Sequence, residues 1–245
     1  MLVVAVSARG ALLLNVASFI LSAAVIRWGV ARRRPAAGAR PDDAAAARGL
    51  LRETWDGWTA IRSRPALVGS LSLGIIGAAY AVVPEAIATG YARSVGAGGT
   101  AVGLIMAAVA AGSVVGGLAI GRFVGPSTRV RLIYPLALAG TLPMMVVALR
   151  PGLALSLLLF ALVGITGAFQ VAANTVFARN VPAHLRTRAF GLAATGMYGG
   201  QTLAIVLAGL AAELVAPAMV VAGAGVLGAA AVLALRRTAA RLGPA

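Results

Sequence analysis

The chain has 245 residues and a formal net charge of +15, and 60% of its residues are hydrophobic while only 11% are charged. Soluble domains carry about 25% charged residues, so this composition indicates a membrane protein. There is no Cys, which excludes disulfides and thiolate metal sites, and there are only one His and six carboxylates. Because nucleophiles need a nearby base and metals need clustered ligands, we expect no enzymatic activity, no cofactor and no metal site.

Seven apolar runs follow one another along the chain. Each is about 18 to 24 residues long, which is enough to cross a hydrocarbon core of about 30 Å at 1.5 Å per residue. In chain order the runs are 11–30, 66–88, 101–121, 132–149, 153–176, 190–212 and 218–235. They predict an all-α polytopic membrane protein with about seven transmembrane helices.

The positive charges are distributed unevenly between the two ends of these runs. All 21 basic residues are Arg. If the runs cross the membrane alternately and the N-terminus is outside, 18 of the 21 Arg lie on the inner side, and Arg9, Arg93 and Arg150 lie outside. Because cytoplasmic loops are enriched in basic residues, we predict a multi-pass protein of the cell (inner) membrane with a cytoplasmic C-terminus. The same rule accounts for the net charge, so we expect the lipid bilayer rather than nucleic acid as a partner.

A long hydrophilic stretch separates the first run from the other six. The predicted organisation is a first transmembrane helix at 1–30, a cytoplasmic linker at 31–65, a six-helix bundle at 66–237 and a cytoplasmic tail at 238–245.

The linker itself has two parts. Residues 32–47 are rich in Pro, Ala and charge, which is typical of a flexible connection. Residues 48–64 predict an amphipathic helix. Its apolar face consists of Leu50, Leu51, Trp55, Trp58 and Ile61. This face either lies in the inner membrane interface or packs against the end of another helix.

Small residues recur at four-residue spacing in the third and sixth runs, a pattern that lets helix backbones approach closely in lipid. The pairs are Gly112 with Gly116, Gly117 with Gly121, and Gly196 with Gly200. We interpret them as packing or hinge positions rather than ligand contacts. Pro143, in the fourth run, predicts a kink because it cannot donate a hydrogen bond one turn back.

Polar residues inside apolar runs are the main functional candidates, because each costs free energy unless it faces protein or water. At helical spacing, three of them form one stripe in the fifth run and three form another in the sixth. These residues are Thr166, Gln170 and Asn174 in the fifth run and Thr195, Tyr198 and Thr202 in the sixth. The two stripes either line a shared polar cavity or form hydrogen bonds between helices. Asn15 and Ser18 form a weaker pair in the first run.

Glu85 is the one acid close to the apolar part of a run, near the outer end of the second, with Tyr80 about one turn earlier. An acid at this depth is a candidate proton or cation site, although a position near the membrane boundary also suits a solvated carboxylate. Glu213, at the outer end of the sixth run, is a weaker candidate. His184 has no carboxylate near it in sequence and is interpreted as a solvated loop residue.

Two loops resemble those of major facilitator transporters. The segment GLAIGRFVGPSTRVRLIY (117–134) resembles the loop between their eighth and ninth helices, a degenerate G-x-x-x-D-R-x-G-R-R motif. The matching residues are Gly117, Gly121, Arg122, Arg129 and Arg131. Gly125 stands where the motif has an acid and Thr128 where it has its second glycine. The missing acid removes a charge that the family uses in its inner gate.

The second loop, NTVFARNVPAHLRTRAFGL (174–192), is similar to the loop between the tenth and eleventh helices of drug and siderophore exporters of that superfamily. The matching residues are Asn174, Thr175, Val181, Pro182, Arg186, Arg188 and Gly191. Thr187 stands where glycine is usual. The run ALLLNVASFILSAAVI (11–26) looks like the sixth helix of those exporters, and the linker looks like their central loop.

This resemblance covers the last seven of the twelve helices in the family. It implies a C-terminal six-helix half with the last helix of the N-terminal half attached, and secondary-active efflux of small, drug-like or siderophore-like molecules. Since the family binds substrate between two halves, it also implies a partner, either a separate N-terminal half or a second copy. In the family the first, fourth, seventh and tenth helices line the cavity, which carries over to the second and fifth runs here.

Two other classes of membrane protein also fit the sequence. A membrane subunit of an ATP-driven transporter also has about six spans; it would need a cytoplasmic coupling helix between spans and would copurify with an ATPase. A non-transporting membrane remnant would lack a reading frame upstream that encodes five spans.

Overall fold

The computed structural model describes residues 2–29, 58–59, 61–62, 64–182 and 185–235. The chain divides into two compact units, Met1–Leu50 and Leu51–Ala245. Within the described ranges every regular element is helical and no strand occurs. Together with the apolar helices below, this confirms the predicted all-α polytopic membrane fold.

The first unit contributes one long helix, α1 (Leu2–Gly29), which begins well before the apolar run predicted at 11–30. Its large apolar side chains from Leu13 to Trp28 are exposed. Ser18 donates a 2.8 Å hydrogen bond to the Asn15 carbonyl oxygen, so its hydroxyl is satisfied within the helix.

The second unit is built of ten described α-helices and one 3₁₀ turn. They are α2 (Pro65–Ala81), α3 (Val83–Ala86), α4 (Ala88–Ser94), α5 (Gly99–Phe123), α6 (Pro126–Ala139), α7 (Thr141–Val146), the 3₁₀ turn Val147–Leu149, α8 (Leu153–Thr166), α9 (Phe169–Asn180), α10 (Arg186–Leu214) and α11 (Pro217–Ala234).

Six helical stretches of the described residues are long and apolar enough to cross a membrane. They are Ala66–Ala86, Gly99–Phe123, Pro126–Leu149, Leu153–Asn180, Arg186–Leu214 and Pro217–Ala234. The apolar part of α1, Leu13–Gly29, is a shorter candidate, at the lower end of the length range that can span a bilayer. Several helices extend beyond the predicted apolar runs, because backbone hydrogen bonding continues past the point where side chains become polar.

Three of the six spans are not continuous helices. The second predicted run breaks at Val82 and Ile87, on either side of Pro84. The fourth is interrupted at Gly140, three residues before Pro143, where the sequence predicts a kink. The fifth breaks between Thr166 and Phe169.

Close glycine contacts hold α5 against α8. A Cβ added at Gly112 would collide with the backbone of Ala161, and one added at Gly116 would collide with the backbone of Ile165. Gly164 makes the reciprocal contact with the backbone of α5. The predicted packing role of this first glycine pair is therefore confirmed.

The other two glycine pairs differ from each other. A Cβ at Gly196 or Gly200 would lie 2.9 Å from the side chain of Ile75, so this pair packs α10 against α2 as predicted. By contrast, a Cβ at Gly117 or Gly121 would meet nothing within 4 Å.

Tyr91 anchors one end of the bundle. Its ring packs edge-on against Phe160 with centroids 5.5 Å apart, and its hydroxyl shares a 2.6 Å hydrogen bond with the Ser156 hydroxyl. Both Tyr91 and Ser156 are fully buried. This pair joins α4 to α8.

A smaller apolar cluster closes the opposite end. It contains Ile61, Leu67, Phe177, Val181, Ala189 and Ala193. Ile61 belongs to the predicted amphipathic helix and is 1% exposed, whereas Trp58 is 43% exposed. Ile61 therefore packs against the ends of other helices, which is one of the two arrangements predicted for this face.

Several predictions lie outside the described residues. These are the flexible linker at 32–47, the amphipathic face at Leu50, Leu51 and Trp55, the loop residue His184 and the tail at 238–245.

Candidate functional site

The polar stripe predicted for the fifth span assumed a continuous helix, and that assumption was wrong. The N–H groups of Ala168 and Gln170 donate to carbonyl oxygens three residues back, at 3.2 and 3.0 Å. A three-residue repeat turns the chain by about 120° per residue instead of about 100°. Thr166 is therefore rotated away from the line through Gln170 and Asn174.

The hydroxyl groups of Thr166 and Tyr80 both lie against Gly140, at the break of the fourth span. A Cβ built on Gly140 would lie 2.7 Å from the Thr166 hydroxyl oxygen and 3.1 Å from the Tyr80 hydroxyl oxygen. Only a residue without a side chain lets three spans converge this closely.

Both hydroxyl groups at this point already have backbone partners. Tyr80 donates to the Ala137 carbonyl oxygen at 3.1 Å, and Thr166 donates to the Leu162 carbonyl oxygen at 2.8 Å. Thr141, which is fully buried beside them, donates to the Leu138 carbonyl oxygen at 2.7 Å. The Tyr80 bond joins α2 to α6 beside the break, whereas the Thr166 hydroxyl is satisfied within its own helix. Sequence reasoning missed Thr141 because a lone Thr carries no periodic signal.

Gln170 and Asn174 lie on α9, after the break. Gln170 is half-buried and Asn174 is exposed. Neither side-chain amide makes a hydrogen bond to any described residue. Each amide therefore offers donor and acceptor atoms to a ligand or to water.

The stripe on α10 is also exposed. Thr195 and Thr202 donate to the carbonyl oxygens of Gly191 and Tyr198, at 3.0 and 2.9 Å, and Tyr198 is 70% exposed. Only 6% of the apolar window of this helix is buried, far less than in the other five spans. Since Gly196 and Gly200 face α2, α10 is packed on one side and carries its polar stripe on the other.

Glu85 lies on the short helix α3 and is half-buried. Its carboxylate makes no hydrogen bond or ion pair with a described residue. Glu213, at the end of α10, is exposed. The proton or cation role considered for Glu85 stays a prediction.

Among the residues assigned to gating, Arg129 makes two hydrogen bonds to the backbone. Arg129 donates to the Val124 carbonyl oxygen at 2.7 Å and to the Gly121 carbonyl oxygen at 2.8 Å. These carbonyls end α5, where a cation is favourable against the helix dipole. Arg129 therefore fixes the turn from α5 to α6. The remaining arginines of this set, Arg122, Arg131, Arg186 and Arg188, are exposed.

Arginines concentrate at the end of the bundle where Arg64 donates a 2.6 Å hydrogen bond to the Asn180 carbonyl oxygen. The ends of the helices on this side carry Arg122, Arg129, Arg131, Arg179, Arg186 and Arg188. The Tyr91 end carries Arg93 and Arg150 among the described residues. The uneven charge expected from the sequence is thus a property of the folded bundle.

An apolar cavity of about 460 Å³ lies between α2, α3, α10 and α11. Tyr80 is the one predicted site residue that lines it. Representative wall residues are Ile76, Val83, Ala208, Val220, Gly223 and Ala231. This space could not be predicted from the sequence, because most of its Ala and Gly residues look like packing positions.

No protein-family model, curated protein or solved structure matches the chain. Among the described residues, no group of His, Cys, Asp and Glu side chains could hold a metal ion. The described residues thus place amides on α9, hydroxyl groups on α10 and one half-buried carboxylate on α3.

Proposed function

We propose that this chain is one helical bundle of a secondary-active transporter of the major facilitator type that exports small molecules. The observation that supports this proposal most directly is the polar stripe on the exposed side of α10, the least buried of the six spans. Polar groups directed at lipid are unfavourable, so this side needs cover by protein or water. A second bundle packed on that side would supply both and enclose a cavity.

The amides of α9 support the same proposal. Gln170 and Asn174 have no partner among the described residues, although the threonines around them bond to their own backbone. Amides that can donate and accept would orient a neutral or zwitterionic solute at the bundle interface. Glu85 would then bind a proton or cation coupled to transport.

The proposed location is the cell (inner) membrane, with the Arg64–Asn180 end in the cytoplasm. Its warrant is the excess of arginine at that end and the enrichment of basic residues in cytoplasmic loops. The second bundle is a separate N-terminal half or a second copy of this chain, and we propose no catalytic reaction or cofactor.

Cysteine accessibility in native membranes tests whether α10 faces an aqueous cavity. The chain has no Cys, so Thr202→Cys and Val226→Cys each introduce a single thiol at an exposed position of a span. A water-soluble maleimide should label Cys at position 202 and leave Cys at position 226, on the apolar surface of α11, unlabelled. Equal protection of both positions would contradict the proposed cavity.

A transport assay tests the amides. In cells that express the assembled transporter, Gln170→Leu and Asn174→Leu should lower efflux of a fluorescent drug-like substrate at least tenfold without lowering protein abundance, because each removes a polar contact to substrate. The control is Leu158→Met, at an exposed apolar position of α8, which should keep wild-type efflux. Wild-type efflux from both amide variants would remove them from the substrate site.

A further inference from the structure

The apolar cavity between α2, α3, α10 and α11 is unusual because small residues line it without closing it. Ala204, Ala208 and Ala211 on α10 and Gly223, Ala224 and Ala231 on α11 belong to its wall. Such residues normally let neighbouring helices approach closely in lipid, as Gly112 and Gly116 do on α5. Here a space of about 460 Å³ remains between these parts of α10 and α11.

The chemistry of the wall selects an apolar ligand. Tyr80 carries the one side-chain polar atom among the lining residues, and its hydroxyl already donates to the Ala137 carbonyl oxygen. No lining residue is charged or carries an amide. An apolar cavity excludes water and takes up hydrocarbon, and nothing in this wall would orient a polar solute.

The shape of the cavity fits a single extended chain. Along α11 the lining runs from Met219 to Ala231, which is about 18 Å at 1.5 Å per residue. One leaflet contributes about half of the roughly 30 Å hydrocarbon core, so this length is close to that of the acyl layer on one side. The volume of about 460 Å³ spread over that length leaves a mean cross-section of only about 26 Å².

The cavity also opens toward the surroundings of the bundle. Five of its lining residues, Leu207, Val215, Met219, Gly223 and Leu227, are exposed. They belong to candidate membrane spans or to the turn that joins two of them. In a bilayer the neighbouring medium at this depth is lipid hydrocarbon, present at high concentration, so mass action favours a lipid chain over a dilute solute.

We propose that this cavity is a lipid site that holds one acyl chain of a membrane phospholipid between α10 and α11. The acyl chain takes the place of closer packing between α10 and α11 and fills the space beside Tyr80. This site is distinct from the polar side of α10 and does not depend on the transport function proposed above.

Photo-crosslinking of the full chain in nanodiscs tests the proposal. The probe is a phosphatidylcholine with a diazirine at mid-chain, and labelled residues are located by mass spectrometry. Ala208 and Val220 line the cavity and are themselves buried, so surface lipid cannot reach them. We expect labelling at these two positions in the wild-type protein.

A matched pair of variants controls for surface binding. Gly223 lines the cavity and a Cβ there would meet nothing within 4 Å, so Gly223→Leu fills the space without a clash. Gly209 is equally open but lies outside the lining, so Gly209→Leu makes the same change elsewhere on α10. Gly223→Leu should lower labelling of Ala208 and Val220 at least fivefold, and Gly209→Leu should leave it unchanged.

Three results would overturn the proposal: no labelling at the buried positions, equal labelling in both variants, or labelling that an apolar dye displaces while excess unlabelled phospholipid does not. The last would mean that the cavity holds a hydrophobic solute. Circular dichroism and elution volume of both variants show whether loss of labelling reflects unfolding.

Discussion

Glycine at positions 112 and 116 lets α5 and α8 meet backbone to backbone. At Gly116 a single methyl group would collide with the backbone of Ile165, whereas at the neighbouring Gly117 it would meet nothing within 4 Å. Position 116 therefore requires glycine and position 117 does not, although the two residues look equivalent in the sequence.

Gly116→Ala should lower the free energy of unfolding by about 1–3 kcal/mol, the usual cost of overpacking. Gly117→Ala should leave it unchanged or raise it by up to about 1 kcal/mol, because Ala favours a helix over Gly. Thermal unfolding in detergent, followed by circular dichroism, measures both. Equal destabilisation by the two variants would contradict the close contact with α8.

A second residue-scale prediction concerns the Tyr91 anchor. Tyr91→Phe removes the buried hydroxyl that shares a 2.6 Å hydrogen bond with Ser156, and should cost about 0.5–1.5 kcal/mol of stability. The loss stays modest because Ser156 also donates to the carbonyl oxygens of Pro151 and Gly152. Tyr198→Phe, at a largely exposed position, should be neutral in the same unfolding measurement, and a loss as large as that of Tyr91→Phe would count against the anchor.

At the scale of the elements, Arg129 and Arg131 lie two residues apart but have different surroundings. Arg129 bonds two carbonyl groups at the end of α5, while Arg131 is exposed. Arg129→Ala should speed amide hydrogen exchange of residues 121–125 at least fivefold, because it frees the end of the helix.

Arg131→Ala is the matched control, since it removes the same charge from the start of the same helix, α6, and so has the same effect on membrane orientation. Its exchange rates should equal those of the wild-type protein. If both variants exchange alike, the bonds from Arg129 do not hold the turn.

The helices also show which parts of the fold could be predicted. Hydropathy located the six spans of the second unit, because a run of about 20 apolar residues has few alternatives to a membrane helix. It placed their ends less well. The run predicted from residue 132 belongs to a helix that begins at Pro126, since proline and a preceding glycine start the helix before its residues become apolar.

The candidate site was less predictable for a specific reason. Periodicity arguments assume about 100° per residue, and the turn at Gly167 and Ala168 breaks that repeat in the middle of the polar stripe. The stripe on α10 could be predicted because that helix is continuous. The convergence of Tyr80, Thr166 and Gly140 depends on three distant segments, which no local pattern reports.

At the scale of the whole molecule, the two ends of the bundle differ in charge, and this predicts how the protein sits in the membrane. Ser127 lies at the arginine-rich end and Gly152 at the opposite end, and both are exposed. In intact cells an impermeant maleimide should label Gly152→Cys and not Ser127→Cys. A Cys at position 38, in the linker, should also be protected. Labelling of position 127 or 38 from outside would reject the proposed orientation.

The transport proposal requires two bundles that rock about a shared site, and the sparsely buried α10 is where the second should pack. The direct measurement is flux of a fluorescent drug-like substrate in liposomes that contain the purified chain, alone or with a five-span N-terminal partner. We expect no saturable flux from the monomeric chain and saturable flux once a second bundle is present, either as that partner or as a second copy. Saturable flux from the monomeric chain alone would contradict the account.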